Sequence, residues 1–191
     1  MEADWAAEIG PRLDHIDYNW PGFIELRGNA DGILKISEAE PGSALSEALM
    51  ALNAPDSPLT TCKCDLWNVP VDELDPYELD SSREAVCAGL ASYVDVVVRD
   101  PELFASFAGH EAWSRAAVMR LRAMSMPNGR ADLVIRAAIT ADRGGFGLTL
   151  YATGCGVDAA AARAAWEPIL REAVAVTMSE ARTARASSSI G

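Results

Sequence analysis

"ADLVIRAAITADRGGFGLTLYATG" (131–154) is the stretch whose reading decides the fold. Two runs in which apolar and polar residues alternate flank the turn sequence "ADRGG", the pattern of a β-hairpin with one face in a core. Leu133, Ile135, Ile139, Phe146, Leu148 and Leu150 are the side chains it offers to that core. Such a pair must bury its apolar face against another layer, so the flanking sequence is read for what supplies that layer.

Just upstream, "DPELFASFAGHEAW" (100–113) begins with Asp100 in position to cap a helix and Pro101 at the first helical residue, where its missing N–H costs nothing. The spacing predicts one helix to about Met124, ended by "MPNG" (126–129). Ser81 and Glu84 stand three apart, as in a capping box, and predict an earlier helix through about Val98. "LTTCKCDLW" (59–67) alternates and predicts a strand that Pro70 ends. "SALSEALMALN" (43–53) places Leu45, Leu49 and Leu52 at helical spacing, with "APDSP" as the stop. "FIELR" and "ILKIS" around "GNADG" predict a second hairpin, with Ile24, Leu26, Leu34 and Ile36 on one side. Downstream, a helix is expected from near Asp158, kinked or restarted at Pro168, followed by a frayed tail from about residue 184. Hairpins without regular βαβ crossovers imply one α+β domain over 1–191, with an antiparallel or mixed sheet of about five strands, two hairpins plus one strand, and helices packed on it.

Composition narrows the function classes. With 50% hydrophobic and 23% charged residues the chain is built to fold around a core. A formal charge of -12 repels nucleic-acid phosphates and anionic membranes, so neither is expected as a partner, whereas a basic partner suits it. "MEADWAAEIG" has no basic leader or apolar h-region, and no apolar run is long enough to span a bilayer, so a cytoplasmic location is expected. The four cysteines are then expected as free thiols.

Two of these, Cys62 and Cys64 in "TCKCDLW" (61–67), pose the sharpest chemical question. The strand alternation puts them beside Leu66, on the core side, where thiols act as small hydrophobes. A metal half-site and a thiol nucleophile are the alternatives. A closed zinc site needs four donors, but Cys87 and Cys155 are unpaired and His15 and His110 stand apart from other ligands; two thiolates alone would suit copper(I). "HEAW" lacks the second histidine of a zinc protease helix, and the glycine patterns of nucleotide loops and the serine elbow GxSxG are absent, so no catalytic residue, metal ligand or cofactor is assigned within the chain.

Recognition has better candidates. Asp72, Glu73, Asp75, Glu78 and Asp80 form a run without lysine or arginine, suited to orienting a basic peptide or patch. Tyr77 and Trp67 add aromatic surface, and His110 and Trp113 complete the set expected at a partner-binding surface. A sheet edge is a further route, since it can accept an extended peptide through its backbone.

"DPELFASFAGHEAW", "ADLVIRAAI" and "GFGLTLYATGC", within residues 60 to 175, resemble the small partner subunit of methanobactin-type biosynthetic systems. The resemblance implies a non-catalytic accessory subunit in a heterodimer with an iron-dependent oxidase, helping to grip the leader of a ribosomally made, cysteine-containing precursor peptide. It implies that the iron lies in the partner, and it assigns no individual residue here. The other readings the sequence supports are an acidic inhibitor or immunity-type protein facing a basic toxin, and a small thiol enzyme using Cys62, Cys64 or Cys155.

Overall fold

The computed structural model describes residues 1–18, 20–140 and 143–188, with side chains as far as residue 184. Six strands and four helices make an α+β fold: β1 (Glu2–Glu8), β2 (Ile16–Asp17), α1 (Ala44–Leu52), β3 (Leu59–Val69), β4 (Ala88–Val98), α2 (Pro101–Ala105), α3 (Phe107–Arg122), β5 (Gly129–Thr140), β6 (Arg143–Gly156) and α4 (Ala159–Ser188). The mixed sheet runs β1-β5-β6-β4-β3, and the short β2 pairs with β5. Along β3-β4-β6-β5 each strand is antiparallel to its neighbour, whereas β1 and β2 lie parallel to β5.

The hairpin at 131–154 is the centre of the sheet. Leu133 pairs with Leu150 and Ile135 with Leu148, and β4 continues the rows with Val94 and Val96. These residues are buried under α3 and α4. On α4 the buried positions Ala162, Trp166, Ile169, Leu170, Ala173 and Val176 follow the helical repeat. The Trp166 indole N–H donates to the Ser92 hydroxyl at 2.9 Å, tying the helix to β4. α4 sits close because Gly129, Gly154 and Gly156 leave its path clear; a Cβ at Gly154 would lie 2.4 Å from the backbone nitrogen of Trp166.

Several expectations are corrected. Residues 81–98 do not form a helix: Ser81 turns its hydroxyl to Asn128 (2.9 Å), a short 3-10 turn covers Arg83–Ala85, and the β-branched run of "YVDVVV" makes β4. Residues 23–37 are not a hairpin either. Gly28 takes a positive φ of 71°, Asn29 donates its side-chain amide to the Glu25 carbonyl, and Ala30–Lys35 winds into a 3-10 helix. The single helix expected from Asp100 breaks at Ser106, whose hydroxyl accepts from Gly109 N at 3.0 Å and so caps α3. The Asp100 cap and Pro101 stand as read. α4 runs through Pro168 without interruption, because that residue faces solvent and its lost backbone bond leaves a carbonyl on the wet side. The helix includes residues 184–188 of the expected frayed tail, and 189–191 lie outside the described residues. β1, an acidic stretch that turns Ala3 and Trp5 inward and leaves Ala6 and Ala7 exposed, is a strand that the sequence patterning does not announce. Ile139 is 48% exposed rather than in the core, being at the far end of β5, and Phe146 is only half-buried.

Candidate binding site on the open sheet face

Alternation sends Tyr93, Asp95, Thr149, Tyr151 and Arg136 to the face opposite α4. Two long connections cover the two ends of that face. Residues 70–87 pack Leu74, Leu79 and Val86 onto Cys155, and the segment before α1 lays Ile16 over Gly147. Between them no helix of the described residues covers the sheet, and aromatic rings line it in a row: Trp67 to Tyr93 at 6.2 Å between centroids, Tyr93 to Tyr151 at 5.9 Å. This middle strip is the floor of a cavity of about 410 Å³, walled by Asp14, His15, Asp17 and Trp20.

Trp20 fixes the outer wall. Its indole N–H donates to the Cys62 carbonyl at 2.9 Å, next to the bulge between Thr61 and Lys63 in edge strand β3. A second cavity of about 330 Å³ shares Trp20, Lys63 and Tyr93 with the first and continues past Ile24, Leu26, Ile36 and Leu49 to Cys62 and Cys64. The two make one trough that crosses β3, lined mainly by charged and aromatic side chains on the sheet face and by aliphatic ones beside Lys35, Glu38 and Asp65 beyond the edge.

Asp95 is a half-buried carboxylate on the floor of the sheet-face half. The Thr149 hydroxyl donates to its Oδ1 at 2.6 Å, and Lys63 is its register partner on β3. Burial raises the Asp95 pKa above the ordinary carboxylate value; the Thr149 bond, Arg136 and Lys63 pull it down, and Asp14 pushes it further up. Arg136 is held elsewhere, 2.8 Å from Glu8 and 3.3 Å from the Tyr151 hydroxyl. The Lys63 ammonium lies 5.9 Å from the Tyr93 ring centroid.

The residues singled out by sequence are distributed otherwise. Cys62 is buried and Cys64 half-buried beside it on the core side of β3, as the alternation implies. Burial pushes the Cys62 thiol well up and the Cys64 thiol to about 12, and it also raises Cys155, which disfavours the thiolate that nucleophilic or metal chemistry needs. Cys87 is exposed. Among the described residues no group of three or more His, Cys, Asp or Glu side chains is placed to hold a metal ion, and no helix is long and apolar enough to cross a membrane.

The acidic segment is at the surface but does not join the trough. Asp72 and Glu73 lie in the 3-10 turn Val71–Glu73, and Asp75 accepts from Tyr77 N while the Tyr77 ring stands 92% exposed. Glu78 pairs with Arg130 at 2.9 Å, and Asp80 holds a turn at φ 47°. Trp67 is exposed at the start of the aromatic row. His110 and Trp113, expected at a partner surface, are 0% and 2% exposed and belong to the core between α3, α4 and β6. His110 Nδ1 contacts the Ser106 carbonyl at 3.0 Å and the Trp113 indole donates to the Thr177 carbonyl at 2.9 Å, so both serve packing.

Tyr93, Asp95, Thr149, Tyr151 and Arg136 were missed as site residues. The signal was present in "YVDVVV", where an aspartate alternates with valines, but a helical reading of 81–98 hid it. The fold and this face define a sheet with one layer of helices and a walled, uncovered centre on its other side. No family model, curated protein or solved structure matches the chain.

Proposed function

We propose that this protein is a non-catalytic binding protein that captures an extended segment of a partner polypeptide in the trough across β3. One observation carries the reading: two cavities of about 410 and 330 Å³ share Trp20, Lys63 and Tyr93 at a sheet edge, the first lined mainly by charged and aromatic side chains and the second adding the aliphatic Ile24, Leu26, Ile36 and Leu49. An extended chain laid in such a trough presents side chains to both halves. A half-buried aromatic floor supplies contact area at low conformational cost. The accessory subunit of a peptide-modifying complex, gripping a precursor leader beside an iron-dependent oxidase, is the narrower form of this proposal.

The test is site-specific photo-crosslinking in the native host, with a benzophenone amino acid at Tyr93 and, as control, at Arg163 on the outer surface of α4. A polypeptide adduct at position 93 that is absent at 163 is the expected result. An adduct with a short cysteine-containing peptide, recovered with an iron-bearing oxidase, selects the narrower form; a toxin selects the inhibitor reading. No polypeptide adduct at 93 under conditions that label a known control complex refutes the proposal.

A further inference from the structure

We propose that the sheet-face half of the trough receives a lysine or arginine side chain of the captured polypeptide, with Asp95 as its ion-pair partner. This deepens the peptide-capture reading and rests on it. Asp95 stands in the middle of the sheet, and its Oδ1 takes the Thr149 hydroxyl at 2.6 Å while its other oxygen has no hydrogen-bond partner among the described residues. The carboxylate is only partly buried, and Arg136 and Lys63 act on it through space, so a cation entering the cavity can take the oxygen that Thr149 leaves free.

The other charged groups facing the cavity favour the same sign of ligand. Asp14 and Asp17 join Asp95 in the lining against Lys63 and Arg136. Arg136 is already neutralised by Glu8 at 2.8 Å, and Lys63 lies over Tyr93. The pocket therefore carries carboxylate in excess, in a chain whose formal charge is -12. Trp20, Tyr93 and Tyr151 add ring surface around it, suited to the alkyl stem of lysine or the flat guanidinium of arginine.

Random dodecapeptides displayed on phage, selected against the wild-type protein, supply the probe, and fluorescence anisotropy of the best synthetic peptide supplies the affinity. The expected result is a basic residue at one fixed position. Its replacement by norleucine and the Asp95→Asn substitution each weaken binding at least about tenfold, the low end for a desolvated charge pair, with little further loss when combined. Asp95→Asn keeps the Thr149 hydrogen bond, and an unchanged or raised melting temperature shows that the loss is not unfolding. Enriched peptides without a fixed basic residue, or equal affinity for wild type and Asp95→Asn, overturn this inference and leave peptide capture standing. If no peptide is enriched, both fall.

Discussion

Gly154→Ala tests the packing that holds the sheet's centre in place. A Cβ there would lie 2.4 Å from Trp166 N and 2.7 Å from Trp166 Cα, where ordinary contacts begin at 3.4 Å. Because the obstructing atoms are helix backbone, no rotamer relieves them, and α4 must retreat by about 1 Å. That shift strains the close-packed layer, at about 1–3 kcal/mol, and stretches the Trp166–Ser92 hydrogen bond, worth about 1 kcal/mol more. The expected loss is about 2–4 kcal/mol, read as a fall in the urea midpoint with unchanged slope and in the melting temperature by roughly 5–15 °C. Gly144→Ala, on the same strand with nothing within 4 Å of its would-be Cβ, is the control. It should stay within about 0.5 kcal/mol of wild type, or gain slightly through a less flexible unfolded chain. A Gly154→Ala protein as stable as the Gly144→Ala control would refute the argument that α4 is seated by the absence of side chains on β6.

Two further outcomes follow from buried titratable groups. Burial lowers the His110 pKa below its ordinary 6.5, so the unfolded chain takes up the proton first; stability is whole above about pH 6.5 and falls as the pH drops below it. Urea midpoints at pH 7.5 and 5.5 should show a difference that shrinks in His110→Phe, and an unchanged difference would remove His110 as its source. With native protein and a thiol reagent at pH 7.5, exposed Cys87 should react first. Raising Cys64 from 9.0 to about 12 cuts its thiolate roughly a thousandfold. Cys64 reacting as fast as Cys87 would contradict that burial and favour the thiol-enzyme reading.

Where local signals and tertiary demands agree, the sequence was legible. The hairpin of β5 and β6, α1, the strand beginning at Leu59 and the Asp100–Pro101 helix start all follow from patterns that their surroundings reinforce. Where two local signals compete, sequence reading chose the nearer one. Ser81 and Glu84 have capping spacing, yet the valines at 94 and 96–98 and the open row on β6 that they complete outweigh a cap worth about 1 kcal/mol. The error at 81–98 then propagated. With β4 read as a helix, Tyr93 and Asp95 had no sheet to stand on, and the recognition surface was sought in the acidic segment and on α3 instead.

The two faces of the sheet differ in how their rows are composed. On the helix-covered side each apolar row is continuous across strands, as packing alone requires. On the other side the rows of β4 and β6 interrupt small and apolar residues, Ala91, Val97 and Gly147, with Tyr93, Asp95, Thr149 and Tyr151 at their middle. Those four neighbour one another across a single register, Tyr93 opposite Tyr151 and Asp95 opposite Thr149. A sheet face left only to water needs no partly buried carboxylate, and one closed by a second layer would not keep it. Its position, between two covering segments and beside a trough that leads over the strand edge, is the physical reason for seeking the protein's activity there rather than at its thiols or its acidic surface run.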